Sequence, residues 1–262
     1  MNTNELSEQM KRSWDEGARR HPYFCVASGP QYLRDNIDYD RYFESGEDAV
    51  AAMFLLAGWN PGLRARALEI GCGTGRITQA LVKRFASVDA IDVSSDMVRI
   101  AERDLADIRN VRFHVTNGID LRNFPDASFD YACLELVFRH IPSREVIRTY
   151  LLETGRILTH GGRFAFQFNG KRVWDVARLF TGSRYVLRSL VSSARSRLAL
   201  GHVDPGHTLA AAWRDTRISA REVRRTVRLA GLTVDRLIGE GSDQMWVIGH
   251  KPPSTTSLKD GR

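Results

Sequence analysis

No apolar run in this sequence approaches the roughly 18 residues that a membrane-spanning helix needs. The N-terminal stretch MNTNELSEQMKRSWDEG is polar and lacks an apolar core, so no secretory signal is expected. Cysteine is scarce: Cys25, Cys72 and Cys133 are the only three and lie far apart. Such an odd, scattered set makes neither a disulfide framework nor a zinc site, and no metal is expected. A reducing, cytoplasmic setting is the corresponding expectation. Internal repeats and low-complexity runs are also missing.

What is present fits one α/β domain with elaborations: 262 residues, 43% of them apolar, enough for a full core. The formal charge of +7 is unevenly spread. Between Lys171 and Arg228 stand 13 Lys/Arg and 4 Asp/Glu, so the rest of the chain is slightly acidic. A basic segment of this kind favours anionic partners without saying which.

The first sixty residues read as helical. Glu5 to Arg20 is a polar helix candidate that His21–Pro22 should end. Ala49, Val50, Met53, Phe54 and Ala57 recur at helical spacing and place a second helix over about 46–59, before the turn Asn60–Pro61–Gly62. Strands and helices then alternate. Strands are expected at 65–70, 88–92, 111–115, 129–134 and 163–168. Helices are expected at 76–84, from a Ser94 or Ser95 cap to about 108, and at 144–158, with a break at Gly161–Gly162. This order implies a doubly wound, mostly parallel sheet with helices on both faces, a Rossmann-like α/β fold. After Gly170 the pattern changes to inserted helical material. A helix at 219–230 and strands at 232–238 and 244–250 follow, the strands close enough to pair as a hairpin. Five segments result: a helical N-terminal cap (1–62), the core (63–170), a helical insertion or lid (171–214), the C-terminal part of the core (215–251) and a disordered polar tail (252–262).

The chemistry concentrates in ARALEIGCGTGRIT. A buried strand ends at Glu69–Ile70, then Gly71, Gly73 and Gly75 open a helix. Glycines there allow positive φ and let a ligand lie against bare backbone, at the carboxyl edge of the strands where open α/β sheets bind ligands. A dinucleotide fingerprint needs its last glycine where Arg76 stands. The G-x-G-x-G spacing departs from it. Glu69 would repel a pyrophosphate and attract an amino group. Asp92, ending the second strand, can accept hydrogen bonds from both ribose hydroxyls. A nucleoside joined to an amino acid, S-adenosylmethionine, satisfies all three features.

With these residues in place the sequence resembles the class I S-adenosylmethionine-dependent methyltransferases, particularly the small-molecule group that includes ubiquinone- and sterol-methylating enzymes. The resemblance runs from about Leu68 to Gln167, and more weakly to His250. ALEIGCGTGRIT is similar to the family's first motif, and VDAIDVSSDMVRIA, with Asp92 and Met97, to its second. FPDASFDYACLELVFRHIP is similar to the fourth motif, and EVIRTYLLETGRILTHGGRFAFQ to the helix and strand that end the core. The resemblance implies a seven-stranded sheet whose last strand is antiparallel, agreeing with the hairpin. One departure concerns the adenine. Relatives carry Gly-Asp after strand three, whereas this chain has Asn117–Gly118–Ile119–Asp120. Either Asp120 or backbone amides near Gly118 and Ile119 would hold the ring. A second is His160, standing where relatives have proline before the Gly-Gly turn.

Methyl transfer from a sulfonium needs alignment, exclusion of water and, for some acceptors, a base. His140 and Glu135, after strand four, are the catalytic candidates. Cys133–Leu134–Glu135–Leu136 stands where enzymes acting on exocyclic base nitrogens or protein amides carry Asn/Asp-Pro-Pro-Tyr, which argues against that chemistry. His202, Asp204 and His207 flank a Pro-Gly turn at a spacing that matches no metal site. Over 183–200, Leu187, Leu190, Val191, Ala194 and Leu198 share one helical face beside a stripe of Arg184, Arg188 and Arg195. This reads as a lid helix, with a surface for an anionic acceptor or membrane face as the sharper alternative. Trp174, Tyr185 and Trp213 are candidates to line the acceptor pocket, with the N-terminal helices, carrying Trp14, Tyr39 and Tyr42, closing its other side. The expectation is methylation of a small molecule or glycan, at a hydroxyl oxygen. The rivals are N- or C-methylation of a metabolite, RNA methylation, and a silent S-adenosylmethionine-binding protein. Nucleic acid is disfavoured because the basic segment lacks interleaved aromatics. Oligomeric state is left open.

Overall fold

A computed structural model describes residues 3–33, 36–62, 64–171 and 216–254. Seven strands, β1 (Arg66–Ile70), β2 (Ser87–Asp92), β3 (Val111–Val115), β4 (Phe129–Leu134), β5 (Leu158–Phe168), β6 (Thr233–Ile238) and β7 (Met245–His250), form one sheet in the order β3-β2-β1-β4-β5-β7-β6. Pairing is parallel from β3 to β5, and β7 runs antiparallel to both β5 and β6. This is the mixed, Rossmann-like sheet expected, with the hairpin supplying the antiparallel last strand.

Strand alternation sorts the core into two layers. Ala132 and Leu134 of β4 point to one face and pack with Val146, Ile147, Tyr150 and Leu151 of α6 (Arg144–Ile157) and Val223 and Val227 of α7 (Ala220–Leu229). Tyr131 and Cys133 point the other way. They meet Val50, Met53 and Phe54 of α3 (Tyr39–Ala57) and Ile77, Ala80 and Leu81 of α4 (Arg76–Val82). A third cluster joins α1 (Thr3–Arg20), α2 (Pro22–Ala27) and α3 to Met97 and Ile100 of α5 (Ser95–Asp104).

Local chemistry sets most boundaries. α1 stops at Arg20, and Pro22 begins α2, where its missing N–H is not needed. Ser94, Ser143 and Ser219 cap α5, α6 and α7 by accepting from Met97, Val146 and Glu222 N–H. Two expectations are corrected. α3 begins at Tyr39, not near Gly46, because Asp38 caps it with a 3.0 Å bond from Arg41 N–H and its first turns bury only Tyr42 and Gly46. The buried stripe of Tyr42, Gly46, Val50 and Met53 keeps helical spacing through these turns, with a glycine and the polar residues of 44–48 interrupting the aliphatic pattern that marks the later ones. β5 runs unbroken from Leu158 through Gly161–Gly162. Pairing of Gly161 and Gly162 with Lys251 carries the strand past the glycines, and the irregularity shows as a register shift opposite Phe129 and Tyr131. No helix among the described residues is long and apolar enough to cross a membrane.

Candidate cofactor site

A cavity of about 450 Å³ opens at the carboxyl ends of β1, β2 and β4. Its floor is the loop after β1. Gly71, Gly73 and Gly75 all take positive φ, at 77°, 52° and 85°. A Cβ on Gly73 would lie 2.6 Å from Val26 of α2, so no side chain fits between loop and cap. Gly71 and Gly73 face the cavity, whereas Gly75 sits behind them as the first residue before α4.

Asp92 lies at the cavity edge. Its two oxygens accept from Gly73 N–H and Ser94 N–H, both at 2.9 Å, which ties the glycine loop to the start of α5. Burial pushes its carboxyl above the usual range, opposed by those backbone donors. Met97, Ile91 and Val93 add an apolar wall. Beside Val93, Gly118, at φ 68°, also lines the cavity, and a Cβ there would sit 2.6 Å from Met10 and 2.9 Å from Val93.

The neighbours of Gly118 face elsewhere. Asn117 accepts from Ile119 and Asp120 N–H, and the buried Asp120 carboxylate pairs with Arg122 at 2.7 Å. Neither Asn117, Ile119 nor Asp120 lines the cavity, in contrast to Thr116 and Gly118.

Glu69 is buried behind the loop and takes a 2.6 Å hydrogen bond from the Thr78 hydroxyl of α4. It borders a side pocket of about 30 Å³ that shares Gly71, Glu135, Leu136 and Val26 with the main cavity. Burial raises its carboxyl to about 8, against the pull of Thr78 and Arg76. Arg76 cannot neutralise it fully, because its guanidinium is engaged with Glu135 at 2.5 Å and with the Ser45 carbonyl at 3.0 Å. The buried Cys72 and Cys133 thiols are pushed well up by the same desolvation and are no nucleophiles.

Glu135 and His140 both face the cavity. Between them Leu136 adopts φ 61°, a left-handed conformation that costs a leucine roughly 1–2 kcal/mol. A 3.0 Å bond from its N–H to Gln167 holds it. Strain of this kind is concentrated at functional sites, and here it turns Glu135 and Val137 to one cavity. The His140 ring meets Trp14 edge-on, with centroids 5.3 Å apart.

The N-terminal helices complete the enclosure. Met10 and Trp14 of α1, one turn apart, line the cavity with Cys25, Val26 and Ser28. Asp15 fastens α1 to the head of α5 by accepting from Ser94 Oγ at 2.7 Å and pairing with Lys11 at 2.6 Å. Of the three aromatics expected to close the pocket from the N-terminal helices, Trp14 lines the cavity, whereas Tyr42 is buried in the aromatic cluster and Tyr39 is exposed, neither of them in the lining. Trp174, Tyr185, Trp213, the 183–200 helix and the His202–His207 segment lie outside the described residues.

Strand order, glycine loop, acidic strand end and cavity together define a class. Residues 68–166 match the family described as Methyltransferase domain, and the chain carries a class I S-adenosylmethionine-dependent methyltransferase domain with S-adenosylmethionine as its cofactor. Among curated proteins, the chain is 34% identical over 126 residues to demethylmenaquinone methyltransferase of Tropheryma whipplei (strain Twist), covering 47% of this chain and 50% of that protein. It is 29% identical over 145 residues to ubiquinone biosynthesis O-methyltransferase of Xanthomonas oryzae pv. oryzae, covering 55% and 56%. The chain thus spans about half the length of these curated relatives. The solved geranyl diphosphate C-methyltransferase of Streptomyces coelicolor A3(2) shares the fold at 15% identity, with TM-score 0.60 over 94% of this chain and 98% of that one. The cavity fits the cofactor: its volume lies within the roughly 300–1,000 Å³ of small-ligand sites, and bare backbone, a carboxylate and an apolar wall converge on it.

Proposed function

We propose that this chain moves the methyl group of S-adenosylmethionine to a small-molecule or glycan acceptor, at a hydroxyl oxygen. The observation that carries the reading is Asp92, held by Gly73 and Ser94 N–H at the cavity edge between the glycine loop and Gly118. There Asp92 would take the ribose hydroxyls. Met97, Val93 and the backbone at Gly118 would flank the adenine, with Asn117, Ile119 and Asp120 shaping that loop from behind. Glu69 and Glu135 would face the amino-acid end, Glu69 through the side pocket.

The acceptor would then approach the wall of Trp14, Val26, Arg139, His140 and Ile141. That wall combines Trp14, Val26 and Ile141 with Arg139 and His140, which suits a ring-bearing acceptor of neutral or anionic character. Trp174, Tyr185 and Trp213 are proposed to complete it. Glu135 has its charge engaged by Arg76, so His140 is the better placed group to receive the acceptor's proton. Oxygen as the target rests on that histidine and on the absence of the Asn/Asp-Pro-Pro-Tyr motif. One of the relatives is named as an O-methyltransferase, and the structural neighbour as a C-methyltransferase.

Two measurements test the proposal. Calorimetry should show S-adenosylhomocysteine binding to the wild-type chain, and its absence would sink the reading. Labelled methyl transfer onto fractionated extracts should mark a small molecule or saccharide through an ether or ester oxygen. Label found only in nucleic acid would overturn the acceptor class, and label on carbon or nitrogen the choice of oxygen.

A further inference from the structure

The outer surface of α6 and α7 has a composition that neither the cofactor site nor the core requires. On α7, Arg221, Arg224, Arg225 and Arg228 are exposed at i, i+3, i+4 and i+7, opposite the buried Val223, Thr226 and Val227. At about 100° per residue these four make one outward stripe. On α6, Arg144 and Arg148 are exposed in the same way, and Leu152 continues their row.

The two helices lie side by side in the same direction. Arg144 Nη1 is 3.7 Å from Glu222 near their starts, and a Cβ on Gly155 would lie 2.0 Å from the Ala230 carbonyl near their ends. At about 1.5 Å rise per residue the turn carrying Leu152 therefore runs beside the turn carrying Leu229. Both leucines are exposed, at 40% and 57%, and they are two of the five large apolar side chains exposed among the described residues.

The charge is not balanced locally. Glu153 is paired with Arg156 at 2.7 Å, Glu222 faces Arg144, and Glu145 is bonded to Ser143 at 2.9 Å. Among the described residues, Arg148, Arg221, Arg224, Arg225 and Arg228 form no ion pair. A solvated arginine face alone would be unremarkable. Two arginine rows that each end in an exposed leucine, on adjacent parallel turns, are a different matter, because the two residue types suit one surface.

We infer that the α6–α7 face docks on an anionic lipid bilayer. The guanidinium groups would lie against headgroup phosphates, and Leu152 and Leu229, at the end of both rows, would enter the acyl boundary. A nucleic acid would meet the same charge but would leave the leucines in water, and no exposed aromatic on either helix offers a stacking platform. The face begins beside the cavity: Ser143, the α6 cap, closely follows cavity-lining Ile141, and Thr216 N–H, leading into α7, donates to the Arg139 carbonyl at 2.7 Å. Docking there would hold the Arg139–Ile141 wall close to the bilayer.

The full chain should co-sediment with vesicles of equal parts phosphatidylcholine and phosphatidylglycerol and not with phosphatidylcholine alone. Binding should fall at least tenfold in about 0.5 M NaCl, where the Debye length is a few ångströms. Arg224→Glu/Arg225→Glu/Arg228→Glu should lower vesicle partitioning at least tenfold, whereas the corresponding arginine-to-lysine triple variant should retain it. Leu152→Ser/Leu229→Ser should lower partitioning several-fold with all charges intact. Circular dichroism of each variant checks its fold. Equal binding to both vesicle types, or a folded glutamate variant that binds like wild type, overturns the proposal. So does tighter, arginine-dependent binding to single-stranded RNA than to vesicles.

Discussion

The Tyr42 hydroxyl lies 2.6 Å from the Thr74 hydroxyl, and both residues are fully buried. The bond joins α3, from the N-terminal segment, to the middle of the glycine-rich loop. Tyr42 is itself held edge-on by Tyr23, Tyr32 and Phe43, so the loop is braced by an aromatic cluster far from it in sequence. Tyr42→Phe leaves the Thr74 hydroxyl without this partner, a loss of roughly 1–3 kcal/mol. Denaturant unfolding should report that loss, and calorimetry a several-fold weaker affinity for S-adenosylhomocysteine. Adding Thr74→Val should restore part of the stability. Unchanged stability and affinity in the single variant would refute the brace.

Asp92→Ala removes two hydrogen bonds to a carboxylate within the loop as well as the proposed ribose contact. With such bonds worth roughly 1.5–3 kcal/mol each, the affinity for S-adenosylhomocysteine should fall by about 100-fold or more. Asp92→Asn should fall in between. An alanine variant that binds within about threefold of wild type would show that the ribose lies elsewhere.

Glu69 makes binding and stability depend on pH in opposite directions. Its folded carboxyl is raised to about 8, whereas the unfolded chain ionises near the ordinary glutamate value of about 4.3. Between those values the unfolded state has lost the proton and the folded state keeps it, so this group makes stability fall as pH rises. Glu69→Gln should flatten that slope between about pH 5 and 8 in thermal unfolding. An ammonium arriving at Glu69 favours the ionised form. S-adenosylhomocysteine should therefore bind with release of up to one proton near pH 7, read by calorimetry in buffers of different ionisation enthalpy. Release that persists in the glutamine variant would place the titrating group elsewhere.

His140 and Glu135 separate by their readouts. His140→Ala should lower kcat by about 100-fold or more, the scale of a lost general base, while cofactor affinity stays within about threefold. Glu135→Gln breaks the pair with Arg76 and leaves a poorly solvated guanidinium, so stability and cofactor affinity should fall together, by on the order of a few kcal/mol in stability. If the histidine variant keeps full kcat, alignment alone carries the reaction.

Much of the fold was legible in the sequence because it is written in short-range patterns. The alternation Tyr131/Ala132/Cys133/Leu134 distributes to two core layers as a period of two requires. Ser94, one of the two serines read as the cap of that helix, does cap α5 by accepting from Met97 N–H. β3 and β4 lie at 111–115 and 129–134, as read. Boundaries were missed in the first turns of α3, where Tyr42 and Gly46 rather than aliphatic residues carry the buried stripe, and at Gly161–Gly162, which backbone bonds with Lys251, the residue after β7, hold in the strand.

The sequence by itself determined the glycine loop and Asp92 at the second strand end, since each depends on residues within its own strand–loop–helix unit, and the regular succession of such units implied the parallel sheet that brings them together. Tertiary structure alone decided how the N-terminal helices are fastened over them. The Asp15–Ser94 and Tyr42–Thr74 bonds, and Trp14 against His140, join residues remote in the chain. It also decided that Glu69 is buried against Thr78 and that Asp120 turns to Arg122 rather than to the cavity. A side chain's direction at a loop or strand end follows from what packs on it, and that partner is set by the whole fold.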